Sequence, residues 1–183
     1  TAETANPWLR IDSDQQGQSI WVGASSGNWE HDFIFYPASG LLEVDLGRTF
    51  NIGDNNSLLP MIGLLHDPIA GRLNWLSPQL YWFNNFGKHS SELWVLFYLR
   101  ATKSLTDYHW ILITERYEIA PGWRVGPQVE WSHDYTNSST FGRYAGLGAK
   151  IPYGAKSTVD FSVSRDIQKS RVVARLTFIT NFE

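Results

Sequence analysis

The sequence predicts an all-β chain: an antiparallel up-and-down barrel of twelve strands, ten being the alternative, with its apolar face turned to lipid. Three observations predict it. Apolar and polar residues alternate with period two along most of the chain. Turn signals punctuate that alternation at short intervals. Aromatic residues are abundant, with nine Trp, eight Tyr and ten Phe, yet no apolar run reaches the ~18 residues of a membrane helix.

The alternation is cleanest from Trp123 to Tyr135. Trp123, Val125, Pro127, Val129 and Trp131 share one face, and Arg124, Gly126, Gln128, Glu130 and Ser132 the other. Near the end Val172, Ala174, Leu176, Phe178 and Phe182 oppose Arg171, Arg175, Thr177 and Asn181. Leu42, Val44, Leu46 and Phe50 oppose Glu43, Asp45, Thr49 and Asn51, and Val159, Phe161 and Val163 oppose Asp160, Ser162 and Ser164. The longest apolar stretch, Leu93 to Leu99, is strand-sized.

Tight turns are expected at Gly53-Asp54-Asn55-Asn56, Phe86-Gly87-Lys88-His89, Ala120-Pro121-Gly122 and Pro152-Tyr153-Gly154-Ala155. A second series, at 67–72, 103–106, 136–140 and 166–169, alternates with the first. From Leu41 this spaces nine strands. His31 to Tyr36 adds a tenth, and Ser19 to Ser25 and Pro7 to Asp12, separated by 13–18, add two more. Residues 1–183 read as one domain, without repeat or linker.

A soluble barrel would alternate as well, with its apolar face inside. Large charged groups on every polar face favour the opposite orientation, because an outward apolar face needs lipid. Spacing agrees with it. Trp123 and Trp131 lie eight residues apart, ~26 Å along a strand and ~20 Å along the axis at a tilt of ~40°, near the ~25 Å apolar band between aromatic girdles. Phe50, Trp123, Tyr153 and Phe182 then form one interfacial ring at the short-turn end, with Trp131 at the other interface. Closure leaves no strand edge in hydrocarbon.

The ending Arg175-Leu176-Thr177-Phe178-Ile179-Thr180-Asn181-Phe182 resembles the carboxy-terminal signature of Gram-negative outer-membrane barrels. It departs from that pattern at Thr180, where a second aromatic is common, and at Glu183, a native residue or a tag remnant. The resemblance implies a bacterial outer-membrane location and recognition of the last strand by the barrel assembly machinery. It also implies contact with outer-membrane lipids and lipopolysaccharide, periplasmic termini and extracellular loops at the other end. The start, Thr1 to Asn6, has no leader features, as expected of a mature exported chain.

Other classes find little support. Cysteine is absent, so neither disulfides nor Cys-type zinc sites are available, and no metal or cofactor is expected. A net charge of −3 without a basic patch argues against nucleic acid. Of five histidines (His31, His66, His89, His109 and His133), three approach the extracellular rim near Asp67, Asp107 and Asp134. A His–carboxylate pair is a general-base arrangement, so His133 with Asp134 is the candidate for an alternative enzymatic reading, and no catalytic residue is otherwise expected. Ser132-His133-Asp134 is not a triad, because strand neighbours point to opposite faces. The segment from Trp131 to Asn137 is distantly similar to the His-x-Ser-Asn element of lipid-A deacylase barrels, with Asn137 four residues after His133. Interfacial polar residues at strand ends are the simpler account.

The polar face carries the main expectation. Turned inward, it places Arg100, Arg124, Lys150, Arg171 and Arg175 in a lumen with Glu43, Asp45, Glu92, Glu130 and Asp160. Paired across the lumen, these charges close a structural barrel; segregated into tracks, they line a wet channel for a small polar or anionic solute. In size the chain resembles small monomeric twelve-stranded channels for acidic sugars. Tyr81, Tyr98 and Tyr144 on that face either stack on sugar rings or fill space. Gly142, Gly146 and Gly148 beside Tyr144 either make steric room in a narrow interior or serve barrel curvature.

Overall fold

The computed structural model describes residues 5–15 and 17–182; the Thr1-to-Thr4 part of the start and Glu183 lie outside the described residues. The strands are β1 (Asn6–Asp14), β2 (Gly17–Ser26), β3 (Trp29–Tyr36), β4 (Leu41–Arg48), β5 (Phe50–Ile52), β6 (Asn56–Asp67) and β7 (Arg72–Phe86). They continue as β8 (His89–Arg100), β9 (Tyr108–Ala120), β10 (Trp123–Asp134), β11 (Ser139–Tyr153), β12 (Ser157–Asp166) and β13 (Val172–Asn181). No helix long and apolar enough to cross a membrane occurs among the described residues.

Every neighbouring pair is antiparallel, and consecutive strands are joined as hairpins. β1 meets β13, with Ile11 facing Phe178, and this pairing joins the two ends of the chain. β4 and β5 pair with β6 in one continuous register, Gly47 facing Met61 and Phe50 facing Leu58. They are one barrel strand interrupted at Thr49, whose N–H leaves the ladder and donates to the Asn28 carbonyl at 2.7 Å. The sheet is therefore a closed twelve-stranded barrel, the larger of the two strand numbers read from the sequence. The first hairpin is tighter than the pattern suggested, because Ser13, Asp14, Gly17 and Gln18 continue the ladder.

The hairpins follow the turn chemistry. Gly87 and Gly122 sit at φ 59° and 75°, a left-handed conformation that a Cβ would strain. At the end away from the termini, register shifts between Leu65 and His66 and between Ser132 and His133 bend the rim. The second shift leaves Phe141 as an extra residue, and its ring packs edge-on against Tyr108 at 5.7 Å.

Polarity is inverted relative to a soluble barrel. Val22, Val44, Leu64, Ile113, Val129, Leu147 and Phe161 are exposed on the outside, while Asp45, Gln79, Arg116, Gln128 and Glu130 are buried inside. That is the arrangement of a barrel whose outer wall faces lipid. The interior is not uniformly polar. Met61, Leu65, Tyr81, Trp94, Leu96, Tyr98 and Leu112, from β6 to β9, form an apolar cluster against one side. Open space is thereby displaced toward β1, β2 and β10–β13.

Candidate functional site

The interior holds two chambers in series. The one nearer the termini encloses about 280 Å³ and is lined by Glu30, Asp32, Glu92, Arg116, Lys150 and Asp160, among others. The one toward the other end encloses about 660 Å³ and is lined by Asp12, Asp14, Tyr36, Tyr98, Glu130 and Ser132, among others. Arg10, Trp21, Trp94, Trp110 and Arg175 border both, and so form the neck between them.

Arg10 is the centre of the neck. Asp12, two residues on and so on the same face, receives two hydrogen bonds from it at 2.8 and 3.0 Å. The guanidinium lies 5.1 Å from the Trp21 ring and 4.6 Å from the Trp94 ring. β1 and β8 are six steps apart in either direction around the ring, so the contact with Trp94 spans the full barrel width. A desolvated cation–π contact of this kind contributes about 2 kcal/mol. Trp94 meets Trp110 edge-on at 6.2 Å, and Trp110 Nε1 donates to Glu130 at 2.7 Å. The other Glu130 oxygen pairs with Arg175 at 2.9 Å, and Arg175 reaches Asp14 at 3.3 Å.

The basic residues of the lower chamber belong to β9 and β11. Arg116 lies along the wall, donating to Gln128 at 3.0 Å and to the carbonyls of Gly126 and Pro127 at 3.2 and 3.0 Å. Asp160 stands 3.8 Å from it. Gly148 makes this path possible, since a Cβ there would lie 2.3 Å from the guanidinium. Lys150 pairs with Glu92, three strands away, at 3.8 Å.

The acidic residues of β3 and β4 are held differently. Gln79 donates to Glu43 at 3.0 Å and to Asp45 at 3.1 Å, and the Tyr36 hydroxyl donates to Glu43 at 2.6 Å. Tyr81 in turn donates to Gln79. Among the described residues none of Asp32, Glu43 and Asp45 has an ion pair, and one oxygen each of Asp32 and Asp45 is buried without a partner. β3 and β4 lie diametrically opposite β10 and β11 in the ring. The acidic residues of β3 and β4 thus face Arg124 and Lys150, with Arg116 beside them on β9, on a side that also carries Glu130 and Asp160.

Nine of the ten charged residues expected inward take inward positions on strands; Arg171 precedes β13 and is exposed, and the ten do not share one surface. Glu92, Glu130, Lys150, Asp160 and Arg175 line the chambers. Glu43 and Asp45, each 1% exposed, are sealed within the wall and line neither. Arg124 stands at the end near the termini, 3.6 Å from Glu118. Arg100 and Arg171 stand at the opposite end, Arg100 paired with Asp107 at 3.5 Å and Arg171 donating to the Tyr144 hydroxyl at 2.9 Å. Tyr98 stacks on Tyr108 at 4.4 Å rather than presenting a free face. Phe50, Trp123, Tyr153 and Phe182 are all exposed on the outer surface at the end of the termini, with Trp131 toward the other.

Arg10, Trp21, Trp94, Trp110 and Arg116 were missed by the sequence reading. For Trp94 and Arg116 the signal was present: Trp94 shares parity with Glu92, and Arg116 with Thr114 and Glu118. Aromatic abundance drew attention to the outer face, and Arg10 lies where the alternation is weakest.

The rim histidines do not meet their acidic neighbours. Asp67 accepts the N–H groups of Ile69 and Ala70, Asp107 that of Arg100, and Asp134 those of Thr136 and Asn137. The Asn137 side chain also donates to Asp134, at 2.7 Å. His109 and His133 face outward instead, with ring centres 6.0 Å apart, His109 bonded to the Tyr135 hydroxyl at 2.7 Å. No cluster of three or more metal-ligating side chains occurs among the described residues.

This architecture is that of small porins. The chain aligns with the KdgM porin at a TM-score of 0.66 and 12% identity, over 98% of this chain and 100% of that one. The KdgM porin in complex with disordered oligogalacturonate gives 0.67 and 12% over the same shares. The NanC porin gives 0.66 and 9%, over 97% and 99%. Identities this low establish a common fold. Comparison with protein-family models finds no match, and comparison with curated proteins finds none either.

Proposed function

We propose that the protein is a channel of the bacterial outer membrane for passive passage of small polar or anionic solutes. One observation carries this: inside a barrel with an apolar outer wall, two chambers meet at a neck containing Arg10 and Arg175, and both are bordered by cations and carboxylates. Charged groups of both signs along the path offer a charged solute successive partners that replace its hydration. Similarity to a porin captured with oligogalacturonate supports a solute carrying carboxylates.

Within this reading Lys150 and Arg175, with Glu92, Glu130 and Asp160, set selectivity in the chambers. Arg100, Arg124 and Arg171 act at the two mouths, and Glu43 and Asp45 contribute field from inside the wall. Phe50, Trp123, Tyr153, Phe182 and Trp131 sit at the membrane interfaces, outer-membrane lipids and lipopolysaccharide surround the barrel, and the last strand is offered to the assembly machinery.

The test is single-channel conductance of the refolded protein in a planar bilayer under a salt gradient. Discrete steps with a charge preference are expected, and charge reversal at Arg171 and Arg175 is expected to move that preference. Insertion without steps would overturn the channel. A closed structural barrel is the second reading, favoured by one observation, the Arg10–Trp94 contact across the full width.

A further inference from the structure

On the outer wall of a barrel in lipid, charged side chains are tolerated at the two ends and excluded between them. At the end away from the termini, the outward-facing side of β9–β12 gathers His109, His133, Arg143 and Arg165, with Lys169 just beyond β12. Register makes this one patch. His133 faces His109, Trp131 faces Arg143, and Ala145 faces Arg165. The two arginines are therefore diagonal neighbours on adjacent strands, with Cβ atoms about 7–8 Å apart.

Among the described residues no carboxylate pairs with the patch. Asp134 is held by Thr136 and Asn137, Asp166 turns inward and caps Gln168 and Lys169, and Asp107 pairs with Arg100. Glu115 points outward nearer the other end and accepts from Ser91 at 2.6 Å. Among the described residues Arg165 hydrogen-bonds only Ser170, at 3.4 Å, and Lys169 the Phe141 carbonyl, at 3.5 Å. The Arg143 guanidinium has no polar partner among the described residues.

Below the patch the wall is apolar. From Arg143 to Tyr153 the outward residues of β11 are Ala145, Leu147, Ala149 and Ile151. That span is ~33 Å along the strand and ~25 Å along the axis at a tilt of ~40°, the height of the apolar band. With Tyr153 at one interface, Arg143 stands at headgroup level on the other.

We propose that this patch docks a phosphorylated glycolipid of the surrounding leaflet, of the lipopolysaccharide type. Arg143 and Arg165 clamp one phosphate through their planar forks. Trp131 and His133 flank the sugar, and the acyl chains lie on Leu147, Phe161 and Val163. The inference rests on the membrane-barrel reading above and is independent of whether the lumen conducts.

The test is native mass spectrometry of the full chain in detergent with lipid A, phosphorylated or enzymatically dephosphorylated. The wild type is expected to retain the phosphorylated form about tenfold better. The double variant Arg143→Gln, Arg165→Gln loses that ratio, the double Lys variant keeps most of it, and Arg72→Gln, at the same end on β7, leaves it unchanged. Both arginines point out of the barrel, and heat-modifiable gel mobility verifies folding of each variant. A wild-type ratio near one, or a Gln variant that keeps the ratio, would overturn the site. Conductance recorded on the same preparations separates the two ideas: steps without lipid preference sink the docking site alone, and lipid preference without steps sinks the channel alone.

Discussion

On β3 and β4 the carboxylates of Asp32, Glu43 and Asp45 stand without a cation, whereas across the lumen Arg116, Lys150 and Arg175 each have a carboxylate at 3.8, 3.8 and 2.9 Å. Asp32 borders the chamber nearer the termini, but the rest of the acidic side, Glu43 and Asp45, is built into the wall. Gln79 and Tyr36 hold its oxygens by hydrogen bonds from neutral groups, and Gly63 leaves the space they occupy. The basic side borders open volume, and two of its pairs are longer than a hydrogen bond. Long pairs beside water exchange partners readily, so a passing anion can replace Asp160 or Glu92. The difference is one of setting: Glu43 and Asp45 are fixed inside the wall, whereas Lys150 and Arg175 border open volume.

The largest expected effect breaks the framework. A Cβ at Gly63 would lie 2.1 Å from Asp45 Oδ1 and 2.8 Å from both Glu43 and Gln79, all deep in the wall. Gly63→Leu should cost about 3 kcal/mol or more, read as a lower melting temperature of the heat-modifiable band. Gly148→Ala, which meets the far ends of the Arg116 and Gln128 side chains, should cost about 1 kcal/mol in the same assay. Equal losses would mean that the two walls are equally rigid.

Next comes charge. Arg175→Glu sets three carboxylates together at the neck and should shift the anion-to-cation permeability ratio about fivefold toward cations, equivalent to about 1 kcal/mol. Asp45→Asn, sealed in the opposite wall, should shift it by less than about twofold. A larger shift from Asp45 than from Arg175 would invert the comparison.

The neck gives a smaller effect. Trp94→Ala removes the ring against which Arg10 rests and should raise unitary conductance roughly twofold, since the narrowest section limits flow. Conductance unchanged by that variant would place the narrowest section elsewhere. The smallest effect belongs to Arg124, whose pair with Glu118 is partly exposed at 3.6 Å. Arg124→Gln should change stability by about 0.5 kcal/mol or less.

Much of this protein is written in short-range pattern. Alternation places Glu43, Lys150 and Arg175 on inward faces because successive Cβ atoms point to opposite sides of a strand, whatever the partner strand is. The hairpin breaks give the strand number, once β4 and β5 are seen to share one register. The site was less legible. Parity puts Glu43 inward but does not reveal that Tyr36 and Gln79 hold it within the wall, away from both chambers. It also puts Trp94 inward, where the expectation of aromatic girdles worked against recognising it.

Sequence by itself determined the period, the turn positions, the polar and apolar faces, and hence a barrel with its apolar side outward. Only the tertiary structure decided which faces confront each other. Arg10 and Trp94 meet because twelve strands put β1 and β8 six steps apart, and Asp14 and Arg175 meet because the first and last strands close the ring. Strand pattern is a property of neighbouring residues. Opposition across a lumen is a property of the whole closed ring, and adding or removing two strands would change a pair that spans it, such as Arg10 and Trp94, while leaving the adjacent-strand pair of Asp14 and Arg175.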